Sequence, residues 1–546
     1  MRRQAGGTAV TSGTGGRIPR ARRALFAASA LLALSVVGVV AQAGPPPEPL
    51  SRWSPIDAEI ANLVVRGVLP VEALAFLPID RAELARWLGA ETRGGTAAGG
   101  LSAEVVRRVL GASDSRGLRL HRSARETLIS TPYLRLMPLI EDGDATWTED
   151  SRVGLRTIYD YDSTLALVSD IFAAEVPDGR SFADPLIAGT DFILHTEEAT
   201  LSARLGPLRL RAGRDRHRWG PGMSGTLLLS DDGAPFNFAE YQLRLGEHLR
   251  FLALSGFTDR RAAPPVDSAG AVLPGVNPDR ARSLAAHRLQ WEVTPKLTIA
   301  VAEAARYQGG AHPLYLAGIV PYTLVERLDQ QGAPADSTRR FSRNNVLWSA
   351  DVAWRFRPAA LAHGEILADD IAMETSGMPT RGGYQFGVRW APQWRGWDWT
   401  LGAEYTRVSN YTYSVYYQDA CQCDWEHLGQ PLGYGLGPDV ANLLLHAWTA
   451  PSSSWSVDAW VELTRKGEGA IGKPVRPSAQ GCGCGAWTLS EAITRTTAIG
   501  ARVQHRFWPR PRVLCPIWLG GSAEGLWTEP GESARARVRL TVGVGG

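Results

Sequence analysis

The sequence predicts an all-β fold, an antiparallel transmembrane β-barrel preceded by a small N-terminal α-helical domain. Three observations carry that expectation. Segments of about ten residues alternate apolar and polar side chains, as outer-membrane strands do. A basic, then apolar, leader opens the chain, and beyond it no apolar run reaches the roughly 18 residues that a spanning helix needs. From Trp397 to Tyr405 one parity reads Trp397, Trp399, Leu401, Ala403, Tyr405 and the other Asp398, Thr400, Gly402, Glu404. Successive strand side chains point to opposite faces, so this ribbon has one apolar face and one face of charge and glycine. The pattern returns in Ser454 to Thr464, Tyr384 to Trp390 and Val346 to Phe356, and most plainly at Ala536, Val538, Leu540, Val542 and Val544. A soluble β-sandwich also alternates. Against it stand the Trp and Tyr near strand ends, which fit aromatic girdles at the membrane interfaces.

The elements follow in order. Arg17, Arg20, Arg22 and Arg23 precede an apolar run from Ala24 to Val40, and Ala41-Gln42-Ala43 is a small-x-small cleavage site, so residues 1–43 read as a secretory signal peptide. Residues 50–125 read as a periplasmic helical bundle. Pro55 stands at a first helical position after Ser54, Ile56, Ile60, Leu63 and Val64 recur at helical spacing, and Asp80-Arg81-Ala82-Glu83 has the form of a capping box. A third helix, from Ser102, carries Val105, Val106 and Val109 and closes at Gly111. Residues 126–546 are left for the barrel, a length that suits roughly 16 to 18 strands. A barrel of that size encloses an aqueous lumen unless something fills it.

Composition narrows the partners. With 58 basic and 55 acidic residues the net charge is +3, which gives no case for nucleic acid. Only Lys296, Lys466 and Lys473 are lysines, so the basic residues are nearly all arginine. Arginine suits bidentate recognition of carboxylates and phosphates, making acidic glycans and lipid headgroups plausible partners beside a general codon bias. Cys421, Cys423, Cys482 and Cys484 form two Cys-x-Cys pairs in two long loops separated by one short turn at Pro451. Both loops therefore lie outside the cell, and disulfides between them are expected, with two cross-loop connectivities open and Cys515 left as the free thiol. No metal or cofactor is expected, since no matched histidine pair accompanies the cysteines.

Gly213 to Ser230 reads GRDRHRWGPGMSGTLLLS, followed by Asp231-Asp232-Gly233-Ala234-Pro235. Its arginine-rich strand end, Trp-Gly-Pro-Gly turn and short apolar run resemble the capsule assembly family of the Wzi type. Ala286-His287-Arg288-Leu289, Ala302-Glu303-Ala304 with Tyr307, Pro321-Tyr322, Asn344-Asn345-Val346-Leu347 with Asp351, and Glu365 with Asp369-Asp370-Ile371 are similar to the family in the same order. So are Ala61-Asn62-Leu63, Arg66-Gly67, Pro78-Ile79-Asp80 and the run from Leu432 to Asp439. The resemblance implies an 18-stranded outer-membrane barrel with a periplasmic helical domain and an obstructed lumen. It also implies a lectin-like protein, not an enzyme, that binds capsular polysaccharide or exopolysaccharide and holds it at the cell surface. Outer-membrane lipid and the polysaccharide export machinery are the further partners expected.

Taken on their own residues, Arg214, Asp215, Arg216 and Arg218 beside Trp219, Gly220, Pro221 and Gly222 read as a structural lumen network, with anion binding the alternative. Ser224 misses the Gly-x-Ser-x-Gly elbow by one position, and His217, Asp215 and Ser224 in one short segment are not expected to converge. The candidate glycan surface is the loop from Ser409 to Asp439. There Tyr411, Tyr413, Tyr416, Tyr417 and Trp425 offer flat faces and His427 a hydrogen-bonding group. An interfacial girdle is the other reading of the tyrosines. An outer-membrane porin or uptake channel shares the barrel and is the alternative function.

Overall fold

The computed structural model describes residues 56–85, 87, 118–123, 125–141, 144–147, 151–161, 164–175, 187, 190, 192–258, 282–308, 310, 312–331, 344–370, 380–415, 423–452, 454–472, 487–490, 492–507, 517–530 and 534–544. The leader, the third expected helix, Tyr416, Tyr417, Cys421, Cys482, Cys484 and Cys515 lie outside them.

The described strands close into an antiparallel barrel of 18. In chain order they are β1 (Glu126–Leu136), β2 (Arg152–Tyr161), β3 (Leu165–Glu175), β4 (Phe192–Leu205), β5 (Leu208–Asp215) and β6 (Phe236–Leu245). Then come β7 (Leu249–Phe257), β8 (Arg282–Thr294), β9 (Leu297–Gln308), β10 (Asn345–Arg357), β11 (Ala360–Asp370) and β12 (Arg381–Trp390). The last six are β13 (Trp397–Val408), β14 (Val440–Ser452), β15 (Trp455–Lys466), β16 (Thr494–Phe507), β17 (Ile517–Glu529) and β18 (Arg535–Val544). Each pairs with its neighbour in sequence, and β18 closes on β1 through Val542↔Leu136 and Val544↔Leu134. A closed ladder leaves no unpaired edge, the condition for a sheet in lipid.

Side-chain parity sorts the two faces. On β12, Phe386, Val388 and Trp390 are 56 %, 47 % and 53 % exposed, while Gln385 and Arg389 on the opposite parity are 2 % and 6 %. On β13, Asp398, Thr400, Glu404 and Thr406 are buried toward the lumen and Trp397 faces out. Read against water this surface is inverted; against lipid it is an ordinary apolar belt. Trp291, Trp354, Phe356, Trp390, Trp394, Trp397, Trp455 and Phe507 are exposed near the short turns, forming one aromatic girdle. The short turns, such as 206–207, 246–248 and 295–296, share one end of the barrel, and the long connections 216–235, 309–344, 409–439 and 467–493 share the other. By the usual orientation of such barrels the first end is periplasmic and the second extracellular.

The N-terminal segment packs on the short-turn end. Helix α1 (Ile56–Arg66) and a 3-10 turn at Val71–Leu74 build an apolar cluster of Ile60, Leu63, Val64, Leu69, Val71, Leu84 and Trp87 against Ala353, Leu361 and Ala391 of the wall. Asn62 Nδ2 donates to Thr400 Oγ1 at 2.7 Å, Arg66 pairs with Asp398 at 2.8 Å, and Arg355 donates to the carbonyls of Val64 and Leu69. The expected capping box is half formed. Asp80 Oδ1 accepts from Glu83 N at 2.5 Å, whereas the Glu83 carboxylate turns away to Arg244 and Arg250, because buried guanidiniums bind it more strongly than a single amide. A short strand, Leu118–Arg122, pairs with β1, so sheet structure begins a few residues before the expected boundary at 126.

Candidate functional site

Among the described residues, the lumen bounded by β4 to β14 holds a packed core made by segments entering from both ends. From the periplasmic end, Phe76–Leu77 pairs as a two-residue strand with Arg218–Trp219 of the β5–β6 connection. From the extracellular end, residues 409–415 and 423–439 fold down onto that connection. Phe76, Trp219, Leu227, Leu228, Leu229, Tyr413, Trp425, Leu432 and Tyr434 form one buried cluster with Phe238, Leu252, Ala286, Ala302 and Leu347 of the wall.

Polar side chains of the wall fix these segments by their main chain. Glu365 on β11 accepts from Leu227 N at 2.9 Å and Leu228 N at 3.1 Å. Glu404 on β13 accepts from Met223 N at 2.6 Å, Ser224 N at 2.8 Å and Ser224 Oγ at 2.6 Å, and His363 Nε2 lies 2.7 Å away. Arg389 donates to the Pro221 carbonyl at 2.8 Å. Glu303 on β9 does the same for the β9–β10 connection, accepting from Tyr322 N and Thr323 N at 2.8 Å at the start of α2 (Tyr322–Gln331). Each carboxylate thus satisfies two successive amides that no ladder serves, which a buried loop requires. Gly220 belongs to this fit: its φ is +130°, and a Cβ there would sit 2.9 Å from Thr226 Cγ2 and 3.1 Å from Glu365 Oε2.

The candidate arginines are spoken for. Arg214 donates to the Thr196 carbonyl, Arg216 pairs with Glu197 at 2.8 Å and donates to the Gly233 carbonyl, Asp215 pairs with Arg211 at 2.7 Å, and Arg218 lies 4.0 Å from Asp231. Trp219 is buried, its amide donating to the Leu229 carbonyl, and Gly220 N donates to the Ala75 carbonyl. Pro221 and Gly222 complete the turn between Arg389 and Glu404, also buried. His217 faces Glu240 at 3.4 Å and Ser224 faces Glu404, so His217, Asp215 and Ser224 form no nucleophile–base pair.

Among the described residues of the outer loop, Trp425, Tyr413 and His427 correct the expectation of open ligand-facing groups. Trp425 is fully buried, its indole N–H donating to the Leu228 carbonyl at 2.8 Å. Tyr413 is equally buried: its hydroxyl donates to the Leu227 carbonyl at 2.6 Å and accepts from Tyr434 N, and burial holds the phenol well above its ordinary range, so it stays a neutral donor. His427 is 5 % exposed, 3.3 Å from the Pro235 carbonyl and edge-on to Phe236. An indole or phenol with one polar atom gains more by filling an apolar lumen around a loop carbonyl than by standing in water. Tyr411 alone of the described candidates is half-buried at the rim, with φ +65° and its carbonyl accepting from Arg381. Gln430 and Leu436 of the same connection are exposed.

The two cysteine loops meet as their topology requires. The Asp439 carboxylate accepts from Gly469 N at 3.0 Å and Ser490 N at 3.2 Å, and Gly472 N donates to Ser414 Oγ. Cys423 is buried and disulfide-bonded, its partner lying outside the described residues.

Glu365, Glu404 and Glu303 went unassigned in the sequence as holders of the plug. Their signal was a lone carboxylate in mid-strand on the lumen parity.

Compared with family models, residues 144–508 match that of the capsule assembly protein Wzi. The chain belongs to the Wzi family. Among solved structures, the Wzi barrel of Escherichia coli, described as an outer-membrane protein involved in group 1 capsule assembly and a carbohydrate-binding β-barrel, aligns with a TM-score of 0.58. Identity to it is 13 %, with 91 % of this chain and 99 % of that chain covered. OccD3 (OpdP) of Pseudomonas aeruginosa aligns with a TM-score of 0.40 at 11 % identity, over 79 % of this chain and 93 % of that one. OmpT of Vibrio cholerae aligns at 0.34 and 10 % identity, over 78 % and 99 %. Curated protein sequences give no match. This Wzi-family protein is an outer-membrane β-barrel with a capsule-related function.

Proposed function

We propose that this protein binds capsular polysaccharide or exopolysaccharide at the outer face of the outer membrane and holds it to the cell as a lectin-like anchor without enzymatic activity. The observation that carries the reading is the two-sided plug: Glu365 and Glu404 fix one buried connection, and Trp425 and Tyr413 seat the outer loop upon it. A solute channel has no use for such a core, whereas a binding platform needs its outer loops held in one shape. The glycan-contacting surface we place on the open rim of the 409–439 loop, with Tyr411, Gln430 and Leu436 there and Tyr416 and Tyr417 in the same connection. Trp425, His427 and Tyr413 act beneath it by shaping the loop. Polymer would reach this surface from the export machinery.

Deletion of the gene is expected to move polymer from the cell pellet to the medium with total polymer unchanged. Loss of total polymer, or retention on the cells, contradicts the anchor role. In planar bilayers the wild-type protein is expected to show little or no conductance, and large steady channels would favour the porin reading.

A further inference from the structure

The periplasmic end holds a cleft that the outer-face reading does not use. It lies between the N-terminal segment and the turns after β4 and β6, in a cavity of 110 Å³ lined by Arg204, Arg209, Arg244, Arg250, Glu83 and Gln242. Three of the arginines are engaged by carboxylates of the N-terminal segment. Arg204 pairs with Asp80 at 2.9 Å, Arg244 with Glu83 at 2.9 Å, and Arg250 with Glu83 at 2.6 Å and Glu72 at 3.4 Å. Arg209 differs. It is 6 % exposed, and among the described residues none of its three guanidinium nitrogens has a hydrogen-bond partner; its one ion contact is Nε to Asp80 Oδ2 at 3.3 Å, an oxygen already accepting from Arg204.

A buried guanidinium with an unused fork is costly, because it has given up water without replacing it. The carboxylates of Asp80, Glu83 and Glu72 are taken up by Arg204, Arg244 and Arg250, which leaves the Arg209 fork as the unused donor of the cleft. The rim is open: the side chains of Arg204 and Arg244 are each 30 % exposed. An unused planar fork and an opening of this size match a group with two or three oxygens sharing a negative charge.

We propose that this cleft binds a small oxyanion presented from the periplasm, a carboxylate of an acidic sugar or a phosphate group, with Arg209 as its buried bidentate donor and Arg244 at the rim. The site stands apart from the outer glycan surface and does not depend on it.

The test is calorimetric titration of the full-length protein, folded in detergent, with phosphate, with galacturonate and with galactose at constant ionic strength. Saturable binding of phosphate, galacturonate or both is expected, with none of galactose, and binding at least tenfold weaker in Arg209→Gln. Phosphate alone points to a phosphorylated headgroup or polymer, galacturonate alone to an acidic sugar, and both to a general oxyanion site. If Arg209→Gln fails to fold by circular dichroism, Arg244→Gln decides, with a several-fold loss expected. Absence of saturable binding to either anion overturns the proposal. So does affinity unchanged from wild type in the folded variants.

Discussion

Replacing Glu365 tests whether carboxylates of the wall hold the plug. Its two oxygens each accept one buried amide, from Leu227 and Leu228, and both leucines are fully buried. Glu365→Gln puts an NH2 group against one of those N–H donors, leaving one amide unsatisfied; Glu365→Ala leaves both. At about 1–3 kcal/mol for each buried unsatisfied group, the glutamine variant should lose about 1–3 kcal/mol and the alanine variant about 2–6 kcal/mol. Removing a buried carboxylate relieves its own desolvation and works the other way, so the lower ends of those ranges are expected. The connection keeps its other holds, the Arg389 bond to the Pro221 carbonyl and the Glu404 bonds to Met223 and Ser224. Single variants should therefore melt earlier yet remain silent in planar bilayers. Combining Glu365→Ala with Glu404→Ala removes four amide acceptors and should produce channel openings. Thermal unfolding followed by circular dichroism and single-channel recording give the two readouts. A double variant that melts with wild type and conducts nothing refutes the argument.

Three further outcomes follow from the same geometry. Trp425→Ala should cost about 3–5 kcal/mol in thermal unfolding, the range for emptying an aromatic from a core, and a change under 1 kcal/mol would show the residue to be loosely packed. Peptide mapping of unreduced protein should find Cys423 in a disulfide and link the Cys421–Cys423 pair to Cys482 and Cys484, and a freely alkylated Cys423 contradicts it. Asp439→Ala should release residues 467–490 from the 409–439 loop, raising amide exchange at Gly469 and Ser490 while β14 and β15 stay protected.

The barrel was legible because lipid outside and polar atoms inside impose a period of two along each strand. The parity of Trp397, Trp399, Leu401 and Ala403 against Asp398, Thr400 and Glu404 is the parity of outer and inner faces. Loop placement was legible for a related reason: a short turn between two long connections leaves both at one end, and Asp439 bridges them. The loop aromatics were not legible. Trp425 and a ligand-stacking tryptophan have the same local sequence signature, and what separates them is whether another segment, here Leu227–Leu229 from some 200 positions earlier, arrives to cover the ring. Glu83 shows the same limit, since its capping-box spacing was correct while its partners, Arg244 and Arg250, are set by barrel closure.

Mid-strand carboxylates have one meaning in this barrel that they lack in an open pore. In a conducting lumen a glutamate faces water and sets selectivity. Here Glu303, Glu365 and Glu404 stand on β9, β11 and β13, alternate strands of one wall, and each ends on a pair of main-chain amides from an inserted segment. Loop backbone inside a barrel carries donors that no strand ladder can serve, so some acceptor must be supplied from the wall. A carboxylate with two oxygens serves two successive amides at once, and the strands around it fix its position. The inserted segments therefore owe their shape to the barrel, and the outer loop resting on them inherits it through Tyr413 and Trp425. The membrane-spanning wall becomes the scaffold of the loops at its long-connection end, and the polar side chains of the lumen are the means by which it holds them.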